Sequence, residues 1–339
     1  MKQAEILNGG AAYNGLVGNT FLPKFKKDGR GVLVNSQGGI VGNSRLDSRE
    51  WTLLNTQVAT MQRTILIGIN NLRQYGLVQN IGSIGVMQVD KRIQSERRAA
   101  DVTMSTRTVV NNDRVDRNTL SVPLPIISTA YQIDERELAS SRQLMLPLDT
   151  AEATESARAV SETLEGILFN GTTAVTLNGN AVKGYNNATG ALSTSTSSLS
   201  TGAWSTADNA YNTIKALLAQ MELRKFRGPF VLYLHSTDYF NLLIMRASAS
   251  DTTQMDLIKR LPGIAAIEKV DAGNATAGTA VMVQMTSDVV QLQETMPIQN
   301  REWRSDDMST FYAKVMCMAI PFVQYNYNLQ TGIAICSGC

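Results

Sequence analysis

Histidine occurs once in the chain, at His235, and it is followed directly by Ser236, Thr237 and Asp238. A histidine can take the proton of a serine while a carboxylate orients the imidazole, so these residue types can spell an acyl-transfer triad. Their spacing argues against it. Triad members converge from separate segments, whereas these four are neighbours where an apolar strand turns into a helix. The plainer reading makes Ser236 or Thr237 the helix N-cap, with His235 packed beside it. The second reactive set is cysteine: Cys317, Cys336 and Cys339. Cys336-Ser-Gly-Cys339 has the C-x-x-C spacing of a half zinc site or a redox pair. A zinc site needs four ligands, and only Cys317 and His235 remain as soft donors, so the simpler expectation is a buried thiol at Cys317 and two reduced thiols after it. Three cysteines so close to one end do not make a disulfide framework. Asp134, Glu135 and Glu137 resemble paired carboxylates but suit the capping and solvation of a short helical turn. The sequence has no G-x-x-x-x-G-K-[ST], G-x-G-x-x-G or H-E-x-x-H pattern. Catalytic, cofactor-binding and metal-binding residues are therefore expected to be none, and the role is read as non-enzymatic. The Asn-x-Thr triplets at Asn170, Asn187 and Asn274 carry no weight in a cytoplasmic protein.

What must position side chains in such a chain is a large folded core. With 339 residues, 43% hydrophobic and 18% charged, the composition is that of an ordinary globular protein and excludes overall disorder. A formal charge of +2 is too small to argue for tight, sequence-specific nucleic-acid binding, although it permits weak contact with a polyanion. Apolar runs such as 281–285 and 315–320 fall far short of the roughly 20 residues of a membrane span. The N-terminal residues lack the apolar core of a secretory signal, so the chain is expected to be made and kept in the cytoplasm of the producing cell.

Residues 120–171 organise the rest. An apolar, proline-punctuated strand over 121–133 leads through the charged turn 134–138 towards one long amphipathic helix ending at Asn170-Gly171. Asp149, three residues before Glu152, has capping-box spacing. Ala153, Ala157, Val160, Leu164, Ile167 and Leu168 fall on one helical face, and Gly171 supplies the stop. Before this lies an arm, 1–45, with nine of the 25 glycines and six basic residues against two acidic ones. Lys24, Lys26, Lys27 and Arg30 are its candidate contacts to a neighbouring subunit or a phosphate backbone, the alternative being a solvated linker. A helix follows from about Leu46 to Asn71, carrying Trp51, Leu54, Val58, Met61 and Ile65 at helical spacing. From 82 to 122 the chain interleaves Lys91, Arg92, Arg97, Arg98, Arg107, Arg114 and Arg117 with five acidic residues. Its alternating segment 101–110 suits a strand of a long two-stranded ribbon, which is barely stable alone in water and must lie across another chain.

After the long helix, the Gly/Ser/Thr/Asn-rich stretch 172–202 reads as a flexible connection. Ala210, Ile214, Leu217, Leu218 and Met221 then line a helix capped near Ser205 or Thr206. Strand 230–234, a short helix near 237–245 and strands near 266–271, 279–285, 288–294, 310–327 and 331–336 complete the order. The fold class is α+β, because helices and strands do not alternate regularly.

This order resembles one family, the Hong Kong 97-type major capsid proteins of tailed bacteriophages, in the branch shared with the encapsulin or linocin-like shells. The residues that carry the resemblance run from Leu46-Asp-Ser-Arg-Glu-Trp51 to Asn170-Gly171, above all Val122-Pro-Leu-Pro-Ile126, Tyr131-Gln-Ile-Asp-Glu-Arg-Glu-Leu138 and Ile167-Leu-Phe-Asn-Gly171. The resemblance implies a subunit with arm 1–45, first peripheral helix 46–81, extended loop 82–122, peripheral domain with spine helix 123–202, axial domain 203–285 and a return through peripheral-domain strands over 286–339. It implies pentamers and hexamers in an icosahedral shell around double-stranded DNA held by non-specific contact. A separate scaffolding protein, a portal and a decoration protein would be partners, with no membrane. The place would be the virion, assembled in the host cytoplasm. An encapsulin-type shell around a cargo enzyme is the alternative. Some related shells cross-link a loop lysine to an asparagine, and Lys91 is the one lysine within 82–122.

Overall fold

The computed structural model describes residues 26–27, 33–34, 48–82, 84–95, 100, 102, 104, 114–144, 150–177, 179–206, 208–245, 252–271, 273–304 and 310–339. In chain order the elements are β1 (Lys26–Lys27), β2 (Leu33–Val34), α1 (Ser48–Ile65), α2 (Ile67–Gln74), β3 (Val78–Asn80), β4 (Gln88–Gln94), β5 (Arg117–Pro123), β6 (Ile127–Asp134), α3 (Glu135–Leu144) and α4 (Ala151–Asn170). They continue with β7 (Thr172–Leu177), β8 (Asn180–Val182), β9 (Leu192–Ser195), α5 (Asn209–Leu223), β10 (Phe230–His235), α6 (Ser236–Asn241) and α7 (Gln254–Lys259). The last are β11 (Ile264–Val270), β12 (Thr279–Gln284), β13 (Val290–Arg304), β14 (Thr310–Val323) and β15 (Ile333–Ser337).

Contacts divide the chain into two units. The smaller comprises 1–50, 132–148 and 303–312. Its described part holds the end of β6 and helix α3, where Ile133 and Leu138 are buried and the Arg142 guanidinium makes a two-pronged ion pair with Glu50 at 2.9 and 2.8 Å. The charged stretch after Asp134, expected as a turn, is this ten-residue helix. Asp134 accepts from the Arg136 N–H at its start.

The larger unit comprises 51–131, 149–302 and 313–339. Helix α4 is its rod. All six residues assigned to its apolar face are buried, and at about 1.5 Å per residue its 20 residues reach roughly 30 Å. Its N-cap is Thr150, whose side chain makes no cap hydrogen bond, and Asp149 lies outside the described residues.

The expected single helix 46–71 is two, because the chain breaks at Leu66. Leu54 and Val58 are buried on α1, as their spacing requires, and α2 buries Gly68, Ile69, Asn71 and Leu72. Gly68 faces α4 so closely that an added Cβ would stand 2.5 Å from Leu168 Cδ2, so any larger residue requires the Leu168 side chain to shift.

The core is built around a five-stranded sheet in the order β11-β10-β12-β15-β9. Strand β10 is parallel to β11 and antiparallel to β12. Its run of five buried residues, Phe230 to Leu234, lacks polar alternation because both faces are covered. Phe230, Leu232 and Leu234 pack with Ala210, Ile214, Leu217 and Met221 of α5 and with Trp204. Tyr233 points the other way, edge-on to Phe169 of α4 at 5.2 Å and stacked on Tyr185 at 5.8 Å. Helix α5 starts after Asp208, in a left-handed conformation and without a side-chain cap hydrogen bond, later than Ser205 or Thr206 would set it.

Residues 172–202, expected as a flexible connection, instead form β7, β8 and β9 and bury Val182, Tyr185, Ala188, Leu192 and Thr196. Their polar side chains have a structural task that composition does not reveal. Gly184 and the asparagines finish helix α4: Tyr185 N–H donates to the Leu168 carbonyl at 2.9 Å, Asn186 N–H to Phe169 at 2.8 Å and Asn187 Nδ2 to Asn170 at 2.9 Å. Carbonyls left free at a helix end are thereby satisfied by a distant segment.

A second sheet has the order β3-β13-β14-β6. It is tied to α1 and α2 by the Arg73–Glu294 ion pair at 2.9 Å and by Gln62 Nε2 donating to the Ile298 carbonyl at 3.1 Å.

Candidate assembly surface

Strands β4 and β5 form a two-stranded antiparallel sheet of their own, in register from Gln88 opposite Pro123 to Gln94 opposite Arg117. It falls in the region where a ribbon is expected, on segments other than 101–110. Its alternation is legible in β4, where Lys91 and Ile93 are half-buried while Asp90, Arg92 and Gln94 are exposed. In β5 exposure is graded along the strand, from exposed Arg117, Asn118 and Thr119 to buried Val122 and Pro123. The ribbon is therefore rooted at Val122–Pro123 and presents its other end to solvent. The alternating segment 101–110, expected as a strand of it, lies almost wholly outside the described residues.

The proposed cationic contacts separate into three groups. Arg92, Arg114 and Arg117 are exposed. Arg97, Arg98, Arg107, Lys24 and Arg30 lie outside the described residues, and of Lys26 and Lys27 only the backbone, in β1, is described. Lys91 differs from all of these. It sits midway along β4, opposite Leu120, its Nζ donating to Gln291 Oε1 and standing 5.1 Å from the centre of the Phe322 ring. Burial draws its pKa from 10.5 down to about 8, since a low-dielectric setting disfavours the ammonium form. A cation over an aromatic face is attracted by the ring quadrupole, which holds the side chain inward. Its described contacts, to Gln291 and Phe322, lie within the same chain.

Apolar side chains flank the same region. Ile84 is 54% exposed, Met87 81% and Ile126 54%. A shallow cleft beside the ribbon is lined by Leu120, Val122, Asn180, Lys183, Pro321 and Tyr325, among others. Apolar surface edged by charges is what an interface presents.

The hydrolytic reading loses its geometry. His235 is itself the N-cap of α6, in place of the expected Ser236 or Thr237: its Nδ1 accepts from the Thr237 N–H at 3.2 Å. Asp238 is buried and accepts from the Gly278 N–H at 2.8 Å. Burial also raises the Asp238 carboxyl above its ordinary range. Among the described residues no three His, Cys, Asp or Glu side chains gather as a metal site would require. Cys317 is buried, and burial lifts its thiol to about 12.

A family of unknown function, DUF6260, matches residues 44–334. The chain belongs to this family. No curated protein sequence matches it. Among solved structures it is similar to the virus-like particle from Pyrococcus furiosus, at 13% identity over 85% of this chain and 99% of that one, with a TM-score of 0.59. It is also similar to the capsid of Myoviridae phage XM1, at 16% identity over 79% and 91% with a TM-score of 0.55. A structure from Mycobacterium phage Bobi matches at 10% identity over 78% and 89%, with a TM-score of 0.54. These likenesses show the fold, which is the Hong Kong 97-like one that the sequence resemblance implies. No helix among the described residues of this family member is long and apolar enough to cross a membrane.

Sequence reasoning missed Glu165. This carboxylate lies on the buried side of α4 and accepts from the backbone N–H of Gly68 at 2.5 Å and of Ile69 at 3.4 Å, the free donors at the start of α2. Burial raises its pKa to about 7, opposed by those N–H groups. A charge inside the apolar stripe, between Leu164 and Leu168, was the available signal.

Proposed function

We propose that the chain is the major capsid protein of a tailed phage, a non-enzymatic subunit whose copies form pentamers and hexamers of an icosahedral shell enclosing double-stranded DNA. The observation that carries this reading is the ribbon β4–β5, paired with no other strand among the described residues and set in a fold shared with the phage XM1 capsid. A two-stranded ribbon does not bury enough surface to stand alone, and a neighbouring subunit supplies the missing cover. In this reading 82–122 is the loop over the neighbour and 123–202 the peripheral domain with its spine helix. Residues 203–285 form most of the axial domain, whose sheet also takes in β9 and β15. Arg92, Arg114 and Arg117, with Arg97, Arg98 and Arg107, make the intersubunit contacts. Lys24, Lys26, Lys27 and Arg30 of the arm meet a neighbour or the DNA. Scaffolding, portal and decoration proteins are partners, and assembly takes place in the host cytoplasm.

Negative-stain microscopy of the expressed protein tests the shell. Closed particles are expected, and a solely monomeric or dimeric species under all assembly conditions sinks the idea. The triple change Arg92→Glu, Arg114→Glu and Arg117→Glu should abolish particles while leaving the circular dichroism of the subunit unchanged. Particles from the native source should hold DNA, whereas a cargo enzyme in its place supports the nanocompartment reading. Deleting residues 1–30 should impair assembly or DNA retention.

A further inference from the structure

The last strand brings together the two cysteines of the C-x-x-C motif, which the shell reading does not use. Cys336 is fully buried on β15, between β12 and β9, and Cys339 is partly exposed. The chain after β15 forms a short hook held at three points. The Thr196 N–H donates to the Ser337 carbonyl at 2.9 Å, Thr196 Oγ1 to the Gly338 carbonyl at 2.8 Å, and the Cys339 N–H to the Gly278 carbonyl at 3.0 Å. This hook returns the Cys339 sulfur to within 3.5 Å of the Cys336 carbonyl oxygen and packs Cys339 against the core cluster that contains Cys336. Fold-back on a C-x-x-C spacing is the arrangement that redox pairs use, and closure requires the two Cα atoms within about 7 Å. Cys317 differs: it is buried on β14, in the other sheet.

We propose that Cys336 and Cys339 are a redox pair that closes to an intrachain disulfide on exchange with a small-molecule disulfide such as oxidised glutathione. Cys339, the less buried of the two residues, loses its proton although its interaction with Cys336 and burial raise its thiol pKa, attacks one sulfur of the oxidant and expels a glutathione thiolate. The Cys336 thiolate then attacks Cys339 Sγ in the mixed disulfide and expels the second glutathione. Both cysteines are oxidised and one oxidised glutathione is reduced to two thiols, which take up the two protons released by the cysteines. A reducing glutathione pool keeps the hook open, and an oxidising medium closes it. Closure adds a covalent tie between the hook and its strand.

Incubation of the full-length protein in graded glutathione redox buffers tests this, with alkylation in denaturant and mass spectrometry of the C-terminal peptide. The expected product has lost two hydrogens, carries no alkyl group on Cys336 or Cys339, and reverts on reduction, while Cys317 is alkylated throughout. In Cys336→Ser, Cys339 should retain glutathione, because the resolving thiol is gone. Full alkylation of both cysteines at every ratio overturns the proposal. A glutathione adduct that persists on wild-type Cys339, or disulfide-linked dimers on a non-reducing gel in place of the intrachain product, overturns it equally.

Discussion

The Glu165 carboxylate of helix α4 accepts a 2.5 Å hydrogen bond from the backbone N–H of Gly68, at the start of helix α2. Because its pKa is about 7 in the fold against 4.5 ordinarily, the folded state binds its proton more tightly than the unfolded one. Its contribution is complete below pH 4.5 and is lost as pH rises through about 7. Urea unfolding should therefore show wild-type stability falling between these limits by on the order of 3 kcal/mol. Glu165→Gln, which keeps a carbonyl oxygen for Gly68 and cannot ionise, should remove that slope. Parallel pH profiles for the two proteins would refute the assignment.

Gly171 ends α4 at φ +69, and an added Cβ would stand 2.4 Å from the Val182 carbonyl oxygen and 2.9 Å from the Gly184 nitrogen. Both obstacles are backbone. Gly171→Ala should cost on the order of 3 kcal/mol through combined conformational strain and overlap. Gly179→Ala separates the two effects, since Gly179 has φ +79 but open space around its Cβ position, and should cost about 1 kcal/mol. Equal losses in thermal unfolding would show that close packing at Gly171 is not the cause.

Lys91 has its pKa lowered from 10.5 to about 8. A cation held below its unfolded pKa opposes folding at lower pH, and that penalty is relieved as pH rises from about 8 towards 10.5. Lys91→Met should remove this rise, keeping most of the packing on Phe322. With the amine engaged by Gln291 and Phe322 of its own chain, denatured mature particles should run as clean monomer bands. A ladder of cross-linked species that disappears in Lys91→Met would contradict this.

His235 caps α6 through Nδ1. Its replacement by Ala should cost about 1 kcal/mol, and His235→Asn, with its own cap acceptor, should recover most of that. Particle yield should be unchanged in both. Any hydrolytic activity of the preparation that vanishes with His235→Ala would reopen the enzymatic reading.

Periodicity alone placed most of the elements. The face of α4 from Ala153 to Leu168 and the face of α5 around Ile214 were legible because burial repeats at the helical period, and the strand at Phe230–Leu234 because a short unbroken apolar run after Gly228-Pro229 marks a strand covered on both faces. The break at Leu66 was not, since Leu54, Val58, Met61 and Ile65 continue into Ile69 at helical spacing, and Gly68, the one nearby breaker residue, lies inside the second helix and not at the break. A carboxylate about a hundred positions away supplies the acceptor that the second helix needs. Segment 172–202 was misread for a related reason. Its Gly, Asn, Ser and Thr match a linker in composition, but their hydrogen bonds go to the end of α4 and to the sheet.

By itself the sequence determined the α+β class, the rod, the ribbon and the resemblance to shell subunits, because these rest on local period, length and order along the chain. Tertiary structure alone decided that Lys91 turns inward while Arg92 stays exposed, that His235 is a cap, that Glu165 joins two helices and that the Cys339 sulfur folds back to the Cys336 carbonyl. Each of these depends on how distant segments, or a returning chain end, set a side chain's burial and partners, and spacing along one segment does not encode that.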